Sequence, residues 1–154
     1  MGIKSLGYMG FSVSDVQAWR SYLTKKIGLM EVNGSDEKAL FRMDSREWRI
    51  AIEKGDSDDL EFAGYEVADS KALRLMTERL REAGVQVKTG DTELAEKRGV
   101  MDLISFNDPF GMSLELYYGA TELFEQPFIS SAGVSGFVTG EQGAGHYFYA
   151  VPDI

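Results

Sequence analysis

A short phrase closing in Val-x-Asp occurs three times, and this repetition constrains the fold more than any other feature of the chain. The first copy is Leu6-Gly7-Tyr8-Met9-Gly10-Phe11-Ser12-Val13-Ser14-Asp15 and the second is Glu61-Phe62-Ala63-Gly64-Tyr65-Glu66-Val67-Ala68-Asp69. The third is Gly145-His146-Tyr147-Phe148-Tyr149-Ala150-Val151-Pro152-Asp153. Before each valine, β-branched and aromatic residues alternate with small or polar ones, which is the pattern of a strand. After the first two copies the period becomes helical. Asp15 is placed to cap a helix with Val16, Trp19, Leu23 and Ile27 on one face, ending at Gly28, and Ser14 with Gln17 is set for a capping box. Asp69 or Ser70 caps the second helix, whose face is Leu73, Met76, Leu80 and Ala83 and whose end is Gly84.

Three strands follow in the first unit, over 29–32, 39–43 and 48–53. The second unit offers 85–88, a short polar helical run around 93–97, then 100–106 and 113–118, with Asp108-Pro109-Phe110-Gly111 as a hairpin turn. The repeated unit is βαβββ, which predicts an α+β fold of tandem modules. The first module is expected over 1–55, the second over 56–119, and a Gly- and Ser-rich linker over 120–145. Residues 146–154 are expected to form the first strand of a third, truncated module, broken off where its helix should begin.

Composition narrows the chemistry. The 154 residues carry 16 Lys+Arg and 25 Asp+Glu, a net charge of −9 that disfavours a nucleic-acid partner. No run of residues is apolar enough to cross a membrane, and the N-terminus lacks a signal-peptide pattern, so a cytoplasmic protein is expected. With 0 Cys, thiolate nucleophiles and zinc–thiolate sites are excluded. With 1 His, His146, the chain holds at most one imidazole ligand or base. The acidic run over 53–61 lacks the Gly and terminal Glu of an EF-hand and reads as a solvated loop. The glycines of 140–145 follow no dinucleotide fingerprint. Trp19 and Trp48 read as core anchors.

Strand alternation sorts the three copies by face. Met9, Phe11 and Val13 match Ala63, Tyr65 and Val67, then Tyr147, Tyr149 and Val151, as the face a helix covers. Tyr8, Gly10 and Ser12 match Phe62, Gly64 and Glu66, then His146, Phe148 and Ala150, on the opposite, concave face. The only histidine thus stands where the earlier copies hold aromatics. Glu115, alternating with Leu114 and Leu116, points to the same kind of concave surface and reads as a ligand or base, or more plainly as a hydrogen-bonded structural carboxylate.

Tandem βαβββ units, Arg42-Met43-Asp44 with Arg49-Ile50-Ala51, Asn107-Asp108-Pro109-x-Gly111 with Leu114-Glu115-Leu116, and the stretch from Phe137 to His146 together resemble the type I extradiol ring-cleavage dioxygenases of the vicinal-oxygen-chelate group. Within that group the resemblance is to 2,3-dihydroxybiphenyl and 1,2-dihydroxynaphthalene dioxygenases, and to their first half. It implies Fe(II) held by two histidines and one carboxylate, opening a catechol ring beside its diol with both atoms of O₂. It further implies His146 as the first metal ligand and Phe148 as a wall of the substrate pocket. The other ligands and all acid–base residues would belong to the C-terminal half of the same protein, so no catalytic residue is expected in this segment. The implied partners are a small aromatic diol, O₂ and further copies of the chain in a homo-oligomer. Alone, the chain is expected to be inactive and not to hold iron tightly. The alternative is a stand-alone two-module binding protein like the glyoxalase and bleomycin-resistance relatives, though Tyr8 and Phe62 stand where a metal-dependent member needs ligands.

Overall fold

The computed structural model describes residues 2–151 and divides the chain into two compact units. One unit contains residues 8–61 with 121–140; the other contains residues 2–7, 62–120 and 141–151.

The first unit is built on β1 (Ile3–Val13) from Tyr8 onward, α1 (Val16–Tyr22), β2 (Met30–Gly34), β3 (Lys38–Arg42) and β4 (Ile50–Lys54). Its strands lie in the order β2-β3-β4-β1. β2/β3 and β3/β4 are antiparallel hairpins, and β1 closes the set by pairing parallel with β4, Met9 opposite Ile50 and Val13 opposite Lys54. Asp15 caps α1 as its sequence position predicts, its carboxylate accepting from the Ala18 N–H at 2.9 Å.

The capping box at Ser14 does not form. Ser14 instead gives both its N–H and its hydroxyl to the Asp58 carboxylate, each at 2.7 Å. The acidic run is therefore a tether at Asp58 and the start of a strand at Asp59. After Tyr22 the helix widens into a π turn, Leu23–Ile27, that closes on Gly28 at φ 89°. A left-handed cap there suits glycine, and the extra residue in the turn swings Ile27 out to 38% exposure, off the predicted buried face.

The second unit repeats the plan with β5 (Asp59–Val67), α2 (Ser70–Glu82), β6 (Lys88–Thr89), an inserted α3 (Thr92–Arg98), β7 (Asp102–Asn107) and β8 (Ser113–Tyr118), in the order β5-β8-β7-β6. Here too the closing pair is parallel, Phe62 opposite Ser113 and Glu66 opposite Tyr117. Asp69 and Asp91 cap α2 and α3 with their carboxylates. Val67, Ala72, Leu73, Ile104 and Leu116 form the core under α2, with Tyr65, Met76 and Leu80 packed against it. That is the face assigned to the helix from alternation. Each fully buried aliphatic side chain of this kind contributes roughly 1.5–3 kcal/mol.

The segment expected to be a linker is hydrogen-bonded to the modules, although most of residues 121–140 are exposed. Residues 121–140 belong with the first module. Glu47 N–H donates to Thr121 C=O at 3.0 Å and Leu123 N–H to Ser45 C=O at 2.7 Å. Arg42 reaches the Gln126 carbonyl at 2.8 Å, and Phe128 packs edge-on against Phe137. Residues 141–151 join the second module, where Leu6 C=O accepts from the Ala144 N–H at 2.7 Å. The expected strand over 146–154 does not form among the described residues 146–151, because no neighbouring strand offers them a ladder. The rest of that expectation, with Pro152 and Asp153 of the third phrase, lies outside the described residues.

Candidate functional site

Glu115 lies on β8 between Leu114 and Leu116, and alternation turns it away from the α2 core. The last residue of α3, Arg98, meets it there. The guanidinium donates from Nε to Oε2 at 2.8 Å and from Nη2 to Oε1 at 2.7 Å, while its carbon stands 3.8 Å from the centroid of the Phe62 ring. Side-chain exposures are 9% for Arg98 and 3% for Glu115. Both carboxylate oxygens are therefore committed to a buried cation, which makes Glu115 a structural carboxylate rather than a free ligand or base. Sequence spacing gives no hint of Arg98, since a helix end and a strand 17 residues apart share no period.

In the other unit, Tyr8 is 2% exposed and packs on Trp48 with ring centroids 4.7 Å apart. Trp48 is a core anchor, as expected; Trp19 is half-buried against Phe11 at 5.8 Å.

His146 and Phe148 both face solvent, Phe148 at 91% exposure. Their rings meet edge to face with centroids 5.3 Å apart. The alternate residues turn back onto the second module. The Tyr65 and Tyr147 hydroxyls share a hydrogen bond at 3.1 Å, and Tyr149 donates to Asp108 Oδ2. Burial raises the Tyr147 hydroxyl well above the usual tyrosine range, and the hydrogen bond shared with Tyr65 adds to it. The bond to Asp108 raises Tyr149 in the same direction. For Asp108, burial pulls upward, but the bonds from Tyr149 and from the Met112 and Phe110 N–H groups outweigh it and hold the carboxyl below its ordinary value.

The geometry decides what metal chemistry these residues support. Among the described residues no three His, Asp or Glu side chains come together as a metal site. A two-histidine, one-carboxylate iron centre does not fit this set, which presents a single outward-facing imidazole.

Comparison with known proteins follows the same outline. Residues 6–55 match the family described as dihydroxybiphenyl dioxygenase BphC D1. Biphenyl-2,3-diol 1,2-dioxygenase of Paraburkholderia xenovorans (strain LB400) is 61% identical over 153 residues, 99% of this chain and 51% of that protein. An iron-dependent extradiol dioxygenase of Rhodococcus jostii (strain RHA1) is 41% identical over 154 residues, again 99% of this chain and 51% of the relative. A crystal structure of a catechol 2,3-dioxygenase superposes with a TM-score of 0.89 at 34% identity, covering 93% of this chain and 51% of the other. The chain spans about half the length of the curated relatives it matches.

Proposed function

The chain belongs to the extradiol dioxygenases as the counterpart of their N-terminal half, and from that premise we propose that it is a portion of an Fe(II)-dependent enzyme that opens catechol rings of biaryl or fused-ring diols beside the diol. The observation that carries this reading is the 61% identity, sustained over 153 residues, to a biphenyl-2,3-diol 1,2-dioxygenase twice as long. The fold of tandem βαβββ modules is the vicinal-oxygen-chelate fold, and the α+β expectation agrees with it.

In this reading His146 is one of three iron ligands and Phe148 borders the aromatic substrate. The other histidine and the carboxylate come from the C-terminal half of the same protein. The solvent-facing imidazole–phenyl pair supports this: both side chains are free to meet a further domain, while Tyr147 and Tyr149 hold their segment to the second module. The committed state of Glu115 supports it as well, because the second module's own concave carboxylate is neutralised by Arg98. The whole protein is further proposed to be cytoplasmic and homo-oligomeric, on the strength of the family resemblance.

A chimera tests the reading. Residues 1–154 replace the aligned half of the Paraburkholderia xenovorans enzyme, and oxygen uptake with 2,3-dihydroxybiphenyl is followed alongside iron content. The chimera is expected to consume O₂ and the isolated chain to consume none. His146→Ala in the chimera is expected to remove both iron and turnover. Turnover by the isolated chain, or a His146→Ala chimera that retains its iron, would overturn it.

A further inference from the structure

The chain has two asparagines, Asn33 and Asn107, and both are exposed. Their surroundings differ in the group that decides their chemical lifetime, the backbone N–H of the next residue. That nitrogen can attack the side-chain carbonyl carbon, Cγ, and expel ammonia. After Asn107 it is committed, because Asp108 N–H donates to Met112 C=O at 2.9 Å. After Asn33 it is free. β2 stands at the edge of the sheet and pairs only with β3. Ser35 N–H donates to Lys38 C=O at 2.7 Å, which makes Ser35 and Lys38 a hydrogen-bonded pair. Pairs alternate along an antiparallel ladder, so Gly34 opposite Ala39 is a non-bonded pair. The Gly34 N–H therefore points out of the sheet edge, on an exposed residue.

Residue 34 has no room for a side chain. A Cβ there would stand 2.7 Å from Glu31 Oε1, 2.8 Å from Arg20 Nη2 and 2.9 Å from Lys38 C=O. A clamp fills that space. Arg20 donates from Nε to Glu31 at 2.9 Å, and from Nη2 to the Ser35 and Lys38 carbonyls at 2.7 and 3.3 Å. Packing thus selects the one neighbour that least obstructs ring closure on Asn33. Extended backbone, with ψ of about +135°, turns the Gly34 nitrogen away from Cγ, so closure waits for the last rung of β2 to open. Arg20 holds the Ser35 carbonyl and sets how often that rung opens.

We propose that Asn33 is a site of spontaneous deamidation whose rate is governed by the Arg20 clamp. Gly34 N gives its proton to solvent and bonds to Asn33 Cγ. The bond from Cγ to the side-chain nitrogen breaks, and ammonia leaves a five-membered succinimide behind. Water then adds to one of the two ring carbonyls and the ring C–N bond at that carbon opens. Opening at Cγ gives aspartate. Opening at the main-chain carbonyl gives isoaspartate, with the chain routed through the side chain. Either product places a new negative charge on the edge of the first unit, and isoaspartate adds a carbon to the backbone of β2 at the residue paired with Leu40. The reaction needs no iron and no second half of the protein.

Tryptic mass mapping of the folded 154-residue chain, held in mildly alkaline buffer, tests the proposal. Peptide 27–38 contains Asn33 and no other amide side chain, so a gain of one mass unit there reports this reaction alone. Enzymatic methyl transfer to isoaspartate identifies the product. Asn33 is expected to react at least about tenfold faster than Asn107, whose neighbour has both a side chain and a committed N–H. Arg20→Met is expected to speed Asn33 at least about threefold, because a charge-assisted bond no longer holds the rung. If that variant lacks a cooperative unfolding transition, Arg20→Lys is expected to act in the same sense, since an ammonium lacks the fork that spans Glu31 and Ser35. Asn33→Gln is expected to abolish isoaspartate in peptide 27–38. Asn33 reacting no faster than Asn107 overturns the site, as does isoaspartate at the wild-type level in the Asn33→Gln peptide. A wild-type rate in the folded Arg20 variant overturns the role of the clamp.

Discussion

Arg98 closes on Glu115 with two near-parallel hydrogen bonds of 2.7 and 2.8 Å, in a position where both side chains are all but sealed from solvent. Such a pair resists the loss of either member more than the loss of both. Arg98→Met leaves a buried carboxylate without its cation and is expected to destabilise the chain by about 3–5 kcal/mol. The double variant Arg98→Met, Glu115→Leu is expected to recover most of that loss. Urea denaturation of the two single variants and the double variant gives the coupling directly, and strict additivity would refute the pairing.

Acid should loosen the first unit through Asp44. Burial raises its carboxyl, but the Arg49 bonds and charge, helped by the Arg46 N–H and Thr139, outweigh that and leave it below its ordinary value. A depressed folded value means the stabilisation is present above the unfolded pKa of about 4 and is lost as pH falls through the folded one. Asp44→Asn is expected to lower stability at neutral pH and to flatten this acid limb. Thermal unfolding between pH 7 and pH 3 checks both, and an unchanged limb would show that another carboxylate is responsible.

Alkali should act through Tyr147, in the opposite sense. Its hydroxyl is raised above the unfolded tyrosine value of about 10, first by burial and then by Tyr65. The stabilisation is complete below that unfolded value and is lost as pH rises toward the folded one. Ultraviolet difference titration is expected to find Tyr147 and Tyr149 ionising later than an ordinary tyrosine, and Tyr147→Phe is expected to remove one of these two late steps.

Gly7 is a packing requirement. A Cβ there would stand 1.6 Å from the Tyr117 hydroxyl oxygen and 2.5 Å from its ring carbon Cζ. Tyr117 is itself 1% exposed and has no room to retreat. Gly7→Ala is expected to destabilise by 3 kcal/mol or more, above the usual overpacking range of about 1–3. The companion variant Gly7→Ala, Tyr117→Phe is expected to regain part of the loss. A Gly7→Ala protein that melts with the wild type would overturn the packing argument.

Sequence disclosed what is local. Asp15 and Asp69 announce helix starts because a cap involves residues three apart, and Gly28 and Gly84 announce helix ends because the left-handed cap tolerates few other residues. Strand β8 matches its expected bounds because Leu114 and Leu116 alternate cleanly with Glu115. Alternation also separated Tyr147 and Tyr149 from His146 and Phe148. What stayed hidden depends on partners far along the chain: Asp58 drawing Ser14 away from its capping box, Gln126 meeting Arg42, and Arg98 meeting Glu115. Each joins residues whose separation matches no secondary-structure period. The short β6, displaced from 85–88 to Lys88–Thr89, shows the same limit, since its place is set by pairing with β7 rather than by its own residues.

Both modules are sealed by a parallel seam between their first and last strands, Met9 beside Ile50 and Phe62 beside Ser113. Hairpins can therefore assemble during translation as soon as they leave the ribosome, but neither seam can close until its final strand has emerged. Up to that moment β1, and later β5, waits with an open edge in the crowded cell. The vulnerable period of this protein's synthesis is set by the spacing between those strands, and a chaperone that shields nascent edges would act there.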